Sequence, residues 1–138
     1  MPLLLVRHAR AGERDEWEGD DRDRPLDDRG LAQARTLVET LAPFAVEAIL
    51  TSPYLRCVQT VEPLAAARGL VPELRPELGE DRQATDGAAL LRACSGRNVV
   101  VCGHGGLDAI VPSAPPWKKG RTFVLDERLA LLDVLYRP

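Results

Sequence analysis

The sequence predicts an α/β fold, a three-layer sandwich whose central sheet is largely parallel. Short apolar runs that end abruptly in polar residues, typical of buried strands, alternate with segments of helical periodicity. The 138 residues are 45% hydrophobic and 28% charged, as in an ordinary globular protein. No internal repeat or low-complexity segment interrupts the chain. We therefore expect one domain over residues 1–138.

The first half of the chain contains two predicted strands, each followed by a helix. Residues 3–6 form the first apolar run, and residues 11–29 follow as a long polar loop that holds nine of the chain's 21 acidic residues. Apolar residues then recur at helical spacing over residues 30–41. Residues 48–50 are the next apolar run, and the following helix is expected over residues 54–67.

The second half contains the strongest strand signal, a β-branched run, and a tail that predicts an antiparallel pair. The predicted elements are an edge strand at 71–75, turns at 76–86, a helix at 87–94, a strand at 98–102 and tail strands at 122–125 and 131–135.

Composition excludes several kinds of partner. The net charge of −3 gives no general attraction to nucleic acid or anionic lipid, so any anion site must be local. The apolar run at residues 2–6 is too short for a membrane span or a signal peptide, and a cytoplasmic location is the expectation. Cys57, Cys94 and Cys102 lack zinc-site spacing and are expected to be buried free thiols. Arginine is the usual cation here, because Lys118 and Lys119 are the only lysines.

The placement of histidine indicates a functional site. The chain has only two histidines, His8 and His104, and each directly follows a predicted strand. In open α/β sheets ligands bind at the carboxyl ends of the strands, so both imidazoles are expected at one edge. Arg7 precedes the first, and glycines flank the second, where backbone can approach a ligand closely. Two imidazoles without HxxxH or HxH spacing do not predict a metal site.

Four motifs, in this order, resemble those of the histidine phosphatase superfamily, whose fold is phosphoglycerate mutase-like. They are Leu5-Val6-Arg7-His8-Ala9, Arg24-Pro25-Leu26 with Gly30 and Gln33-Ala34, Thr51-Ser52-Pro53-Tyr54-Leu55-Arg56-Cys57-Val58-Gln59-Thr60, and Gly103-His104-Gly105. The chain is most similar to the short, SixA-like branch of phosphohistidine phosphatases. It also resembles the phosphatase domain of actinobacterial Nudix–phosphatase fusions, through Gly19-Asp20-Asp21-Arg22 and Lys119-Gly120-Arg121-Thr122-Phe123-Val124-Leu125.

The resemblance implies a role for each motif residue. His8 would attack phosphorus and form a covalent phosphohistidine that water then hydrolyses. Arg7 and Arg56 would hold the phosphoryl oxygens, and His104 would donate to them as charge builds in the transition state. Ser52 would offer its hydroxyl to the phosphate or cap the following helix. No metal or other cofactor is expected, because the two guanidiniums supply the positive charge that magnesium supplies in kinases.

The general acid is open among three carboxylates. Leu78-Gly79-Glu80 matches the register of the family's acid, so Glu80 is the first choice, followed by Glu77 and then Asp108. The nitrogen of a phosphoramidate leaves phosphorus with less assistance than the alkoxide oxygen of a phosphate ester. The short branch can therefore tolerate a poorly placed acid. Gln59 and Thr60 are expected to orient their neighbours.

The expected size of the substrate follows from the small number of segments that could enclose the site. Only residues 11–29 and 76–86 could build walls, so we expect an open site for a phosphorylated protein side chain or a small phosphorylated metabolite. The acidic loop should repel anions unless Arg14, Arg22 and Arg24 face inward. Three hypotheses follow: a phosphohistidine phosphatase, a nucleotide or small-molecule phosphatase, and a non-catalytic phosphate-binding module.

Overall fold

The computed structural model describes residues 2–136, which form one sheet of six strands and three α-helices. In chain order the elements are β1 (Leu3–Arg7), α1 (Asp28–Thr40), β2 (Ala48–Thr51), α2 (Leu55–Arg68), β3 (Glu73–Leu74), α3 (Ala88–Cys94), β4 (Val99–Gly103), β5 (Thr122–Leu125) and β6 (Leu131–Leu135). The strand order is β3-β2-β4-β1-β5-β6. The first four strands of this order are parallel to one another. Strand β5 pairs antiparallel with both β1 and β6. The predicted α/β class and largely parallel sheet are therefore confirmed.

The core lies on both faces of the sheet, because successive side chains of a strand point to opposite faces. Leu3 and Leu5 of β1 pack with residues of α3 in one apolar cluster. Leu4 and Val6 pack with residues of α1 and α2 in the other. The helices therefore cover both faces, which is the three-layer arrangement that the sequence predicts.

Both helices on the second face begin beside the carboxyl edge of the sheet. Helix α1 begins where the Asp27 side chain accepts a hydrogen bond from the Gly30 N–H, as an N-cap does. A Cβ atom at Gly30 would lie 1.9 Å from the Arg10 carbonyl oxygen, so glycine is required for this close packing. Helix α2 begins after Tyr54 and ends at Gly69 in the left-handed conformation. Arg56 is thus placed in the first turn of α2, at the edge where β2 ends.

The regions without strong periodicity differ most from the sequence prediction. The edge strand expected at 71–75 is limited to Glu73–Leu74, because only these residues pair with β2. The region 76–86 contains a 3₁₀ turn at Pro76–Leu78 and a π-helical turn at Gln83–Gly87.

The three cysteines are buried and free, as predicted. No helix within residues 2–136 has the length and apolarity needed to span a membrane.

Candidate active site

The two histidines lie together at the carboxyl edge of the sheet. Strands β1 and β4 are neighbours, and their register pairs Arg7 with Gly103, so the residues that follow them leave the sheet side by side. The His8 N–H donates to the Gly103 carbonyl at 3.1 Å. The ring centroids of His8 and His104 are 5.4 Å apart, with the rings edge to face. The sequence expectation that both imidazoles share one edge is therefore matched by the geometry.

The tautomer of His8 is fixed by a hydrogen bond to the backbone of the next residue. Nδ1 of His8 lies 2.8 Å from the Ala9 carbonyl oxygen, which can only accept, so Nδ1 carries the proton. The Ala9 peptide is held in turn, because its N–H donates to the Thr60 hydroxyl, which donates to the Arg56 carbonyl. In the neutral ring Nε2 therefore keeps its lone pair, which is what a nucleophile requires.

The environment of His8 keeps its imidazole neutral. The pKa of His8 is lowered from 6.5 to about 3, mainly by burial, and the positive charges of Arg56 and Arg7 act in the same direction. The hydrogen bond to Ala9 opposes them only in part. His8 is 5% exposed, so its ring is available to a ligand without being solvated.

This pKa shift predicts that the protein loses stability as the pH falls below 6.5. In the unfolded chain His8 takes up a proton near pH 6.5, whereas in the folded chain it does so only near pH 3. The unfolded state then binds more protons, so the free energy of unfolding should fall by about 1 kcal/mol per pH unit between pH 6 and 4.5. Urea titrations of the wild type and of His8→Asn over this range measure it. We expect a smaller slope for the variant, and equal slopes would contradict the shift.

His104 is oriented by residues behind it. Ser52 Oγ accepts from the Tyr54 N–H at 3.3 Å and forms a hydrogen bond of 2.9 Å with Nε2 of His104. The other ring nitrogen, Nδ1, is buried and has no hydrogen-bond partner among the described residues. The Gln83 side chain accepts from the His104 N–H and donates to the Gly105 carbonyl, which fixes the loop.

The structure places Ser52 differently from the sequence expectation of a phosphate ligand. Ser52 is 0% exposed and does not line the cleft beside the histidines. Its hydroxyl contacts His104 and the start of α2 instead. We therefore regard Ser52 as a residue that positions His104.

Arg7 lies flat against the loop after β4. Its Nη1 donates to the Trp117 carbonyl at 2.8 Å, while its Nε is buried without a partner among the described residues. A Cβ atom at Gly105 would lie 3.1 Å from the Arg7 Cζ atom. A side chain at position 105 would push the guanidinium away, so this glycine permits the position of Arg7 beside the histidines.

Arg56 is fully buried and joins α2 to two acidic residues. Its guanidinium donates to the Asp21 carbonyl at 2.8 Å, to the Asp21 carboxylate at 3.0 Å and to the Glu80 carboxylate at 2.8 Å. It also lies over the Tyr54 ring, 5.0 Å from the centroid. Arg14 donates to the same Glu80 carboxylate at 2.9 Å. Arg56 does not itself line the cleft beside the histidines, but it holds the acidic loop and the cleft residue Glu80 in place.

Of the three candidate acids, only Glu80 lines the cleft. Glu77 pairs with Arg75 at 2.7 Å, and the Asp108 carboxylate accepts from the Gly106 N–H. Burial raises the pKa of Glu80, but the hydrogen bond from Arg14 and the charges of Arg14 and Arg56 outweigh it and lower the pKa. Glu80 is therefore a carboxylate in this arrangement, because its ion pairs with Arg14 and Arg56 stabilise the charged form.

The cleft that contains these groups is open and strongly cationic. Its volume is about 250 Å³. It is lined by Arg7, His8, Gly12, Glu13, Arg14, Arg24, Glu80, His104, Gly105 and Lys119. Arg14 and Arg24 of the acidic loop face inward, whereas Arg22 pairs with Asp20 at 2.7 Å and does not line the cleft. The loop therefore adds positive charge to the site, although its composition is acidic.

Sequence reasoning missed Asp21, Gln83 and Lys119. Asp21 stands in a motif quoted for the resemblance to the Nudix-linked phosphatase domain, but that motif gave it no role, and Gln83 stands in a stretch predicted only as turns. Lys119 could have been found, because it is one of only two lysines and lies next to Gly120 before a strand. Gln59 and Thr60 do orient their neighbours, since Gln59 accepts from the Leu26 N–H and Thr60 from the Ala9 N–H.

Comparison with known sequences connects this geometry to a family. The sequence profile described as "Histidine phosphatase superfamily (branch 1)" matches residues 3–88. The 8-oxo-(d)GTP phosphatase of Mycolicibacterium smegmatis is 36% identical over 158 residues, which cover 99% of this chain and 48% of that protein. An uncharacterised protein of Picosynechococcus is 37% identical over 91 residues, or 64% of this chain and 49% of that protein. The chain thus spans about half the length of these curated relatives.

Comparison with solved structures shows the same fold. The protein histidine phosphatase SixA in complex with tungstate superimposes with a TM-score of 0.80 at 23% identity, covering 99% of this chain and 97% of that one. A SixA phosphohistidine phosphatase candidate from Agrobacterium tumefaciens gives a TM-score of 0.77 at 27% identity, with the same coverage.

Proposed function

The chain belongs to the histidine phosphatase superfamily, and from this premise we propose that it is a metal-independent phosphatase acting through a phosphohistidine on His8. The observation that carries the proposal is the Nδ1–H bond of His8 to the Ala9 carbonyl at 2.8 Å. This bond leaves the Nε2 lone pair of a neutral imidazole at a cleft lined by arginines. Such a group is a nucleophile for an electrophilic phosphorus atom.

The groups around His8 suit a phosphoryl dianion. Arg7 Nε, Arg56 Nε and His104 Nδ1 are buried nitrogens without partners among the described residues. Buried polar groups normally have partners, so the unpaired nitrogens of Arg7 and His104, which both line the cleft, support an anion site there, with Arg56 behind it. Donors placed beforehand in a site of low solvation stabilise the charge that builds in the transition state.

The reaction then takes two steps. In the first, the Nε2 lone pair of His8 forms a bond to phosphorus while the bond from phosphorus to the leaving group breaks, and Glu80 gives its proton to the leaving atom. In the second, water attacks the phosphohistidine, the P–N bond returns its electron pair to Nε2, and the Glu80 carboxylate takes the proton of the water. A substrate phosphoryl group competes with Glu80 for Arg14 and Arg56, which raises the pKa of Glu80 and allows it to carry the proton.

Replacing Glu80 with glutamine tests this role of the carboxyl. We expect kcat for an alkyl phosphate ester to fall by about 100-fold, because an alkoxide leaves poorly without a proton. The loss should be much smaller for p-nitrophenyl phosphate, whose leaving group is stable as an anion. Steady-state kinetics of Glu80→Gln on both esters measures the difference, and Glu77→Gln is the matched control. Equal losses on both esters would show that Glu80 does not act as the acid.

Two substrate classes are candidates. A phosphohistidine side chain suits the open cleft, and the likeness to the A. tumefaciens structure supports it. A nucleotide is favoured by the M. smegmatis relative, whose similarity extends over 99% of this chain. It is also favoured by Trp17, which is 37% exposed and lines a hollow of about 220 Å³ next to the cleft. An exposed indole is a stacking surface for a base.

A substrate panel distinguishes these candidates. Phosphohistidine peptides, nucleoside phosphates and sugar phosphates are compared by kcat/KM, with EDTA present to test independence from metal. Turnover of any of them that persists in EDTA supports the phosphatase. Binding of inorganic phosphate without turnover of any substrate would instead indicate the non-catalytic phosphate-binding module.

A further inference from the structure

A second cationic groove opens beside the cleft that contains His8. Its volume is about 480 Å³, larger than that of the cleft itself. It is lined by Arg7, Arg10, Gly12, Glu13, Gln33, Lys118 and Lys119. Both lysines of the chain are therefore in this one place. Arg7 and Lys119 line the groove and the cleft together, so the two spaces are continuous.

The backbone on both sides of the lysine pair is anchored next to the nucleophile. The Gly120 N–H lies 3.2 Å from the carbonyl oxygens of both Arg7 and His8. On the other side of the pair, the Trp117 carbonyl accepts from Arg7, and the buried Trp117 indole donates to the Arg121 carbonyl. Gly120 has φ +81°, a conformation that favours glycine. The lysines are thus anchored to the strand end that carries His8.

The positive charge of the groove is only partly neutralised. Arg10 pairs with Asp27 at 2.9 Å, and Glu13 is the carboxylate in the lining. Neither lysine forms an ion pair with any residue in the part of the chain that the structure describes. Burial lowers the pKa of Lys119, and the nearby charges of Arg7 and Arg24 lower it further. Like charges gathered without counterions favour the binding of an anion.

We propose that this groove is a second anion subsite, which receives the second phosphoryl group of a small diphosphate substrate whose terminal phosphoryl reacts at His8. The proposal rests on the proposed function, because the cleft must hold the reacting phosphoryl. Arg7 lies between the two spaces and contacts both phosphoryl groups. A nucleoside 5′-diphosphate has this arrangement of charges, whereas an isolated phosphorylated side chain has no second phosphoryl group to place near the lysines.

Binding of two non-hydrolysable probes tests the subsite. Methylphosphonate carries one phosphoryl-like group and methylenediphosphonate carries two, and titration calorimetry gives Kd for both. We expect Lys118→Ala/Lys119→Ala to weaken methylenediphosphonate binding by about tenfold or more and methylphosphonate binding by less than about threefold. Arg92→Ala removes an exposed arginine from α3, on the opposite face of the sheet, and should change neither Kd. Thermal unfolding confirms that each variant is folded.

The outcomes separate the subsite from the catalytic proposal. Equal losses for both probes would show that the lysines only supply a general field, and the subsite would be refuted. Failure of the wild type to prefer methylenediphosphonate would refute it as well. Hydrolysis of p-nitrophenyl phosphate by the wild type is measured in parallel, because its absence would refute the phosphatase and not the calorimetric result.

Discussion

Replacing His8 with alanine is expected to abolish turnover, with a loss in kcat of at least about 10⁴-fold. The imidazole supplies the bond to phosphorus, and its Nδ1–H bond to the Ala9 carbonyl leaves the Nε2 lone pair free at the cleft. Removal of a covalent nucleophile typically costs several orders of magnitude in kcat. Steady-state assays on the best substrate of the panel measure the loss.

Two controls make the His8 result specific. Methylphosphonate should still bind to His8→Ala, because Arg7, Arg56 and His104 remain in place. The exposed Arg92→Ala variant should retain wild-type kcat. A His8→Ala protein that keeps more than about a tenth of the wild-type kcat would show that the chemistry does not pass through this imidazole.

Replacing Arg56 with alanine should damage both catalysis and stability. The guanidinium is 0% exposed and holds the Asp21 backbone, the Asp21 carboxylate and Glu80. Removing it leaves two carboxylates without their shared partner, which should lower the free energy of unfolding by about 3 kcal/mol. We expect kcat/KM to fall by at least about 10³-fold, because the proposed mechanism assigns Arg56 to the phosphoryl oxygens and because Arg56 holds Glu80. Denaturant titrations and steady-state kinetics measure the two effects.

Arg68→Ala is the matched control for Arg56→Ala. Arg68 lies at the other end of α2, and its guanidinium donates to the Leu41 carbonyl at 2.8 Å. Its removal should lower the free energy of unfolding by about 1 kcal/mol and leave kcat/KM near the wild-type value. Arg56→Lys keeps the charge but cannot reach several acceptors at once, so it should recover part of the stability and little activity. Full activity in Arg56→Lys would mean that planar, multiple hydrogen bonding is not needed there.

The sequence predicted the elements whose signal is local. The apolar run of β1 and the β-branched run of β4 each end at a histidine, and the rule that parallel strands present their carboxyl ends together was enough to place His8 beside His104. The role expected for Arg56 came from the motif that resembles the family, and the structure places this residue in the first turn of α2. These features depend on periodicity and on sheet topology, which the amino-acid pattern determines over short stretches.

What the sequence did not show depends on contacts between distant segments. Asp21 reaches Arg56 across 35 positions, and Glu80 reaches Arg14 across 66. The acidic composition of the loop suggested repulsion of anions. In the structure several of its carboxylates are paired with arginines, and the loop presents Arg14 and Arg24 to the cleft. The ionised state of Glu80 is also a tertiary property, because it depends on two arginines from different elements.

Direct detection of the covalent intermediate tests the central claim most closely. The wild type is mixed with the best substrate, quenched in alkali within a single turnover and digested for mass spectrometry, since a phosphoramidate survives alkali but not acid. We predict one added phosphoryl group, on the peptide that contains His8, and none on that peptide in His8→Ala. A phosphoryl group on another residue, or rapid turnover with no phosphorylated protein at any time point, would contradict the account.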